Sequence, residues 1–221
     1  MKEYKRYRFI AIVIFIPFLV ISISCLICLR IITVNNTFPA STVHSYSLGD
    51  QVTFANSSDE ENELAGTTMK VIESVVLEDD ELIKLIPYYE DPVITNKGAS
   101  KAKILIVKIL LQNDADHEEP IPLAILKARE YAWANGCDFR LFKMLNPNLT
   151  SLKLKPNESS EVFMPFSAYD TQFGFNAASW NEFGSRNIRL ELTAYPNETS
   201  IDLGLPYRHQ EAQTIIESKT L

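Results

Sequence analysis

AKILIVKILLQ, residues 102–112, is the stretch of this sequence that decides the fold class. Its apolar run Ile104–Leu111 is interrupted only by Lys108, and it is too short for a membrane-spanning helix. A short apolar run rich in Ile, Val and Leu is typical of a strand in the core of a sandwich, with a paired strand on each side. The sequence therefore predicts a central β-strand here.

Segments of similar β character lie on both sides of this central strand. They are residues 46–54, 68–77, 121–127, 151–154, 160–166, 188–195 and 200–203. Within and between them, Gly49-Asp50 predicts a bend, Asn135-Gly136 a hairpin turn, and Pro165 an edge strand or a strand end. Seven or eight short strands at this spacing predict a mainly β, two-sheet antiparallel β-sandwich over residues 46–205, followed by a polar tail at 206–221.

Two segments break the β pattern. Residues 79–91 predict a short helix over about 80–86 that ends before Pro87. Residues 138–145 fit either a second short helix or a strand. The predicted sandwich therefore carries one or two short inserted helices.

The first part of the chain differs in composition from the rest. Residues 9–29 are an uncharged apolar run which, as a helix, would span about 30 Å, the thickness of a bilayer's hydrocarbon core. Four bases precede the run, and only Arg30 follows it closely. The positive-inside rule then predicts a cytoplasmic N-terminus at residues 1–8, a signal-anchor helix at 9–32 that contacts the membrane, and an extracellular stalk at 33–45. The predicted localisation is the cell membrane, with a single span and an extracellular C-terminal domain.

Two other interpretations of this segment stay open. A signal peptide has a shorter hydrophobic region of about 7 to 15 residues, but cleavage near Ala40 and Ser41 is an alternative to a retained anchor. Cys25, preceded by Ile21-Ser22-Ile23-Ser24, invites comparison with a bacterial lipoprotein box. Ser22 stands where that box usually has Leu, and the residues after Cys25 stay apolar.

The net charge of −7 is the sum of a basic N-terminus and an acidic remainder of the chain. Residues 1–8 are net +3, whereas residues 35–221 hold 27 acidic and 16 basic side chains and are net −11. Binding to a phosphate backbone requires clustered Lys and Arg. The acidic body therefore excludes nucleic acid as a partner and favours a soluble, self-repelling exterior.

Cysteine and histidine offer little chemistry. Cys25 and Cys28 lie in the apolar run, so Cys137 has no partner for a disulfide within the external domain and is interpreted as a small buried hydrophobe. The three histidines (His44, His117 and His209) are scattered, which does not favour a structural zinc site. Nucleophile-elbow, phosphate-loop and dinucleotide motifs are not found. No catalytic, cofactor-binding or metal residue is predicted.

Three further features have a possible functional interpretation. Residues 114–119 (DADHEE) carry alternating carboxylates that could bind a cation such as Ca²⁺. An EF-hand loop that began at Asp114 would need Gly at its sixth position and Glu at its twelfth, where this chain has Glu119 and Ile125. A solvated turn is therefore favoured. The aromatic stretch 173–183 could form a binding ledge for a sugar or peptide, although core packing explains it better. Sequons at Asn35, Asn56, Asn148, Asn157 and Asn197 would carry glycans in a eukaryotic host.

Short motifs along the chain carry a resemblance to a known family. They are residues 46–50 (YSLGD), 108–113 (KILLQN), 133–136 (WANG), 145–147 (LNP), 156–158 (PNE), 165–166 (PF) and 190–196 (LELTAYP). The chain resembles uncharacterised, membrane-anchored or lipid-anchored extracellular proteins of Gram-positive bacteria with an immunoglobulin-like domain. The resemblance implies an immunoglobulin-like sandwich. It implies no activity and no site residue.

Three functions remain in competition. The first is a membrane-tethered extracellular binding or interaction module, not an enzyme, whose protein or cell-envelope partner the sequence does not name. The second is an extracytoplasmic hydrolase with carboxylates that only the fold brings together. The third is a glycosylated accessory subunit of a membrane complex.

Overall fold

The computed structural model describes residues 2–37, 42–54, 64–78, 81, 101–121, 123–131, 133–149, 153–174, 177–193 and 197–208. The chain divides into two compact units, Met1–Ser41 and Thr42–Leu221.

The first unit is a single helix, α1 (Lys2–Thr37). From Phe15 to Thr37 it is long and apolar enough to cross a membrane, with a mean hydropathy of 2.5, and signal sequences share this property. The helix continues past the predicted end of the anchor at residue 32, and within it the hydroxyls of Thr33 and Thr37 donate to the carbonyls of Leu29 and Thr33 at 2.8 and 2.7 Å. The first residues of the predicted stalk are therefore helical.

The second unit is built mainly from strands. They are β1 (Thr42–Ser47), β2 (Gln51–Phe54), β3 (Thr67–Glu78), β4 (Ala102–Asn113), β5 (Glu119–Pro120), β6 (Lys127–Glu130), β7 (Trp133–Gly136), β8 (Lys153–Leu154), β9 (Ser159–Tyr169), β10 (Arg189–Thr193), β11 (Asn197–Asp202) and β12 (Tyr207–Arg208). The described residues between the strands also include the short helices α2 (Phe139–Leu145) and α3 (Ala177–Glu182) and the 3-10 turns Leu123–Ile125 and Asp170–Phe173. β1 begins before, and β12 ends after, the predicted domain limits of 46 and 205.

The strands form two five-stranded sheets, which confirms the predicted two-sheet sandwich. The first sheet has the order β1-β11-β10-β6-β7. The second has the order β12-β3-β4-β9, with β2 also paired to β3. Two pairings, β1 with β11 and β12 with β3, are parallel, so the prediction of antiparallel pairing needs correction there. A ribbon of β5 and β8 lies outside both sheets.

The core confirms the interpretation of residues 104–111. In β4, Ile109 pairs with Val71 of β3 on one side and Val162 of β9 on the other. Alternation along β4 sends Leu105, Val107, Ile109 and Leu111 into the cluster between the sheets, which also contains Leu190. Ile104 and Ile106 face the opposite way and pack in a second cluster with Leu141 of α2.

The single strand predicted over residues 46–54 is wrong. The structure has β1 and β2 there, and they belong to different sheets. The chain turns at Gly49, where φ is +91°, and Asp50 closes the turn: its N–H donates to the Ser47 carbonyl and its carboxylate accepts from the Ser47 N–H. The bend foreseen at Gly49-Asp50 is thus a crossover between sheets.

Two local predictions between β5 and α2 are also wrong. Of the described residues in the predicted strand 121–127, only Lys127 lies in a strand, as the first residue of β6; Leu123–Ile125 form a 3-10 turn, and Leu123 and Leu126 are buried before β6 begins. Asn135-Gly136 is not a hairpin turn but the end of β7, where both residues pair with β6 and the Asn135 side chain donates to the Ser167 carbonyl at 2.7 Å. The β6–β7 hairpin turns at Tyr131 instead, with φ of +47°.

The two alternatives for residues 138–145 are resolved in favour of a helix. Asp138 caps the N-terminus of α2 by accepting from the N–H groups of Arg140 and Leu141. Of the other predicted helix, only Glu81 lies within the described residues, and it is helical. The remainder of residues 79–91, and the tail from 209 onward, lie outside them.

Candidate functional site

Glu130 lies at the inner face of the sandwich, at the end of β6. Exposed and buried residues alternate along this strand, so Glu130 points the same way as the core residue Ala128. The residue is 5% exposed, and its Oε2 atom is buried without a hydrogen-bond partner in the described part of the chain. A buried carboxylate is costly unless it is paired, which makes Glu130 the focus of the candidate site.

Aromatic side chains form the end of the core around Glu130. Trp133 lies opposite Glu130 in the β6–β7 pair, and its ring meets Phe183 edge-on at 4.9 Å between centroids. Trp180 and Phe173 pack against the same Phe183 ring. Trp180 and Phe183 are 8% and 1% exposed, so these aromatic residues of the predicted ledge belong to the core.

Lys103 brings a cation to the same end of the core from β4. Its Nζ donates to the Trp180 carbonyl at 3.1 Å, lies 5.0 Å from the centroid of the Trp180 ring, and is 3.6 Å from Glu78 Oε1. Lys103 is buried, whereas the Glu78 side chain is mostly exposed. The ammonium group therefore has its own partners and forms no ion pair with Glu130 among the described residues.

The segment 177–186 closes this end of the sandwich. It carries Trp180 and Phe183 inward and an ion pair between Glu182 and Arg186 on its outer side. Gly184 is buried with φ of +78°, and a Cβ placed there would lie 2.8 Å from Val76 Cγ2. This close approach requires glycine. Lys103, Glu130, Trp180, Glu182, Gly184 and Arg186 are called the Glu130 cluster.

The electrostatics of the Glu130 cluster favour a neutral acid. Burial raises the pKa of Glu130 above its ordinary value, and the nearby Glu182 carboxylate acts in the same direction. Arg186, the backbone N–H of Gly184 and Lys103 oppose this increase in pKa only in part. The group can therefore take up and release a proton at a higher pH than a solvated carboxyl.

The carboxylates of Asp114 and Asp116 in the acidic loop 114–119 accept hydrogen bonds from neighbouring side chains. The Asp114 carboxylate accepts from the Thr68 hydroxyl and, at 2.8 Å, from Gln112 Nε2. Asp116 is exposed and lies 2.6 Å from His117 Nδ1; this hydrogen bond lowers the pKa of Asp116. In the described part of the chain, no three His, Cys, Asp or Glu side chains converge as metal ligands.

Cys137 is half-buried and packs against the core. Burial, and to a lesser extent the neighbouring Asp138 carboxylate, raises the pKa of the Cys137 thiol to about 12. A nucleophilic cysteine needs a lowered pKa and an electropositive environment. This thiol has neither.

The described sequons occupy different environments. Asn35 lies in α1, Asn148 and Asn157 are exposed in turns, and Asn197 is exposed at the start of β11. Asn56 lies outside the described residues. The side chains in turns are accessible to modification.

The sequence analysis missed Glu130 and Lys103. Both are charged residues in strands, where the usual expectation is a solvent-facing side chain. Position along the strand gave a signal of this burial. Lys103 lies on the same strand face as Leu105 and Val107, and Glu130 lies on the same face as Ala128. Their burial depends on segment 177–186, which is distant in sequence.

Comparisons with known proteins give a family and two similar structures, both of unknown function. A family model described as a domain of unknown function (DUF5028) matches residues 43–214. No curated protein matches the chain. An uncharacterised β-sandwich protein from Clostridium difficile 630 is similar in structure with 11% identity and a TM-score of 0.41, covering 75% of this chain and 97% of that one.

A functionally unknown protein from Listeria monocytogenes EGD-e is similar with 10% identity and a TM-score of 0.41, covering 72% of this chain and 88% of that one. The family model spans most of the second unit. The chain therefore belongs to the DUF5028 family, whose domain has no established function.

Proposed function

We propose that this protein is a membrane-tethered extracellular binding module of the cell envelope of a Gram-positive bacterium, and that it is not an enzyme. The observation that carries the proposal is the composition of α1. Its apolar side chains from Phe15 onward are exposed over a length that matches a hydrocarbon core. Burying these side chains in a bilayer removes them from water and tethers the sandwich to the membrane surface.

The sandwich itself supports binding rather than catalysis. The pKa of the Cys137 thiol is raised, so it is a poor nucleophile. Glu130, the buried acid with a raised pKa, is 5% exposed and thus closed to a polymeric substrate. Two-sheet sandwiches present loops and strand edges as binding surfaces on a rigid core.

Topology is the first test of this proposal. In intact cells expressing the full chain with a C-terminal epitope, added protease should remove the epitope, while a tag at the N-terminus should survive. The positive-inside rule predicts this orientation from the four basic residues before the apolar run, Lys2, Lys5, Arg6 and Arg8. A C-terminal epitope that resists protease in intact cells would refute the extracellular location.

The fate of α1 is the second test. Mass spectrometry of the protein recovered from membranes should find residues 1–37 still attached, as a signal anchor requires. A mature N-terminus near Ala40 would show a cleaved signal sequence and rule out the tether. Lipidation would appear as an added acyl mass on a chain that begins at Cys25.

The distinction between a binding module and a hydrolase needs a third test. Crosslinking on intact cells should recover a reproducible envelope partner, and the purified chain should not hydrolyse cell-wall or peptide substrates. Turnover that disappears in both Glu130→Gln and Glu182→Gln, but persists in Glu161→Gln, would establish the hydrolase and overturn the proposal. Glu161 is a suitable control because it is a partly exposed carboxylate in the other sheet.

A further inference from the structure

The carboxyl group of Glu130 is enclosed without a cation of its own. Two cations act on it, but each is held by another acid: Lys103 lies 3.6 Å from Glu78, and Arg186 pairs with Glu182. The Oε2 atom has no hydrogen-bond partner in the described part of the chain. An ionised carboxylate in this position lacks the hydrogen bonds that water would supply, whereas the neutral acid loses much less on burial.

We propose that Glu130 is a proton-binding switch: its enclosed position in the folded sandwich favours the neutral acid, and its ionisation loosens segment 177–186 from the end of the core. The proposal does not depend on the function proposed above.

The contacts of segment 177–186 explain this coupling. The segment is held to the sandwich through the Trp180 carbonyl, which accepts from Lys103, through Phe183 against Trp133, and through Gly184 against Val76. Glu130 and Lys103 lie on strands that are hydrogen-bonded within their sheets, so moving these strands would break ladder hydrogen bonds. Moving the short helix and turn of segment 177–186 costs less free energy than moving a strand. Water that solvates an ionised Glu130 therefore enters most easily by displacing this segment.

Charged and polar groups face Glu130 from three directions. Arg186, Glu182 and the Gly184 N–H belong to segment 177–186, Lys103 belongs to β4, and Glu78 of β3 acts through its ion pair with Lys103. Arg186 lowers the pKa of Glu130 and Glu182 raises it, but the effect of Arg186 is the larger of the two, and none of these groups acts as strongly as burial does. Desolvation of Glu130 therefore dominates the balance.

The sign of the pH dependence follows from proton linkage. The pKa of Glu130 is higher in the folded protein than in the unfolded chain, so the folded state binds the proton more tightly. The stabilisation by the bound proton is present at acidic pH. It begins to fall above about pH 4.3, the ordinary carboxyl pKa, and is lost once the pH has passed the raised value.

The full chain in detergent micelles allows a direct test, because its two tryptophans, Trp133 and Trp180, both contact the Phe183 ring of this core end. Thermal unfolding followed by tryptophan fluorescence at pH 5 and pH 8 should be compared for the unchanged chain, Glu130→Gln and the control Glu161→Gln. We expect Glu130→Gln to raise Tm by about 2–4 °C at pH 8 and by less at pH 5. Glu161→Gln should keep the pH dependence of the unchanged chain.

The proposal would be overturned if Glu130→Gln lowered Tm relative to the unchanged chain, and lowered it by the same amount at pH 8 as at pH 5. If that variant does not fold, ¹³C NMR of glutamate side-chain carboxyls in the unchanged chain supplies the answer. One carboxyl should titrate clearly above the range of solvated glutamates. If every glutamate titrates at about 4.3 or below, the folded sandwich does not bind a proton at Glu130 more tightly than the unfolded chain does, and the switch does not exist.

Discussion

Asn146 and Phe163 form a closed pair of hydrogen bonds that joins the end of α2 to β9. The Asn146 Nδ2 donates to the Phe163 carbonyl at 2.8 Å, and the Phe163 N–H donates to Asn146 Oδ1 at 3.0 Å. Asn146 is buried and also donates to the Phe142 carbonyl, so its amide satisfies the helix C-terminus and the strand together.

This pairing protects an edge strand. β9 is the last strand of its sheet, and its outer side would otherwise expose unpaired backbone groups. The Pro165 carbonyl accepts from the Asp138 N–H at 2.8 Å, and the Ser167 carbonyl accepts from the Asn135 side chain. Pro165 lacks an N–H, which an edge position tolerates, so the prediction of an edge strand at Pro165 is confirmed.

Replacing Asn146 by Ala should destabilise the domain by about 2 to 4 kcal/mol, because it removes the buried hydrogen bonds that the Asn146 amide makes with the Phe163 N–H and carbonyl. Denaturant unfolding of the full chain in detergent measures this change. Asn187→Ala is the matched control, since Asn187 is exposed and its amide lies 3.4 Å from Asp202. Equal stabilities of the two variants would show that water replaces the Asn146 amide without cost.

Replacing Ile109 by Ala should cost about 2 to 5 kcal/mol, since Ile109 is fully buried between Val71 and Val162 and its truncation leaves a cavity. Val43→Ala on the exposed strand β1 should change stability by less than about 0.5 kcal/mol. Thermal unfolding of both variants beside the unchanged chain tests whether β4 is the centre of the core. A loss below about 1 kcal/mol for Ile109→Ala would contradict that assignment.

Gly184→Ala should destabilise the domain by about 2 to 4 kcal/mol, more than Gly204→Ala. Both positions have positive φ, +78° and +64°, so both substitutions incur backbone strain of roughly 1 kcal/mol. Only at position 184 does the new Cβ meet a neighbour, Val76 Cγ2 at 2.8 Å, whereas nothing lies within 4 Å at position 204. Similar losses in the two variants would mean that Val76 moves aside freely.

Cys137 should react slowly with thiol reagents at neutral pH. Its pKa is raised to about 12, so the thiolate fraction becomes appreciable only in strongly alkaline solution. Maleimide labelling of a Cys25→Ser, Cys28→Ser variant should be slow when folded and fast in denaturant.

Reducing agent should leave the Tm of a monomeric preparation unchanged. A fall in Tm on reduction would reveal a disulfide between two chains.

Local sequence patterns account for the elements that were predicted correctly. The run 9–29 is uncharged and long enough to form an apolar helix, and the runs in β3, β4 and β9 are apolar enough to require burial in a sheet. The sandwich class follows from these runs and from the spacing of the shorter strands. A prediction from periodicity works here because each element carries its own signal.

The elements that were missed depend on partners far away in sequence. Asn135-Gly136 has the composition of a turn, yet the hydrogen bond from Asn135 to Ser167 keeps it in a strand. Residues 46–54 have the alternation of one strand, yet the positive φ of Gly49 sends its halves to different sheets. Local propensity sets a preference, and tertiary contacts of greater total energy override it.

The sequence by itself determined the apolar helix, the acidic body without an internal disulfide, and a sandwich centred on residues 104–111, because hydropathy and its period act over neighbouring residues. Only the tertiary structure decided that Glu130 is buried beside Lys103 and beneath segment 177–186. The pKa of a carboxyl depends on the water and charges around it. Those surroundings are assembled from β3, β4, β6 and segment 177–186, which no local pattern connects.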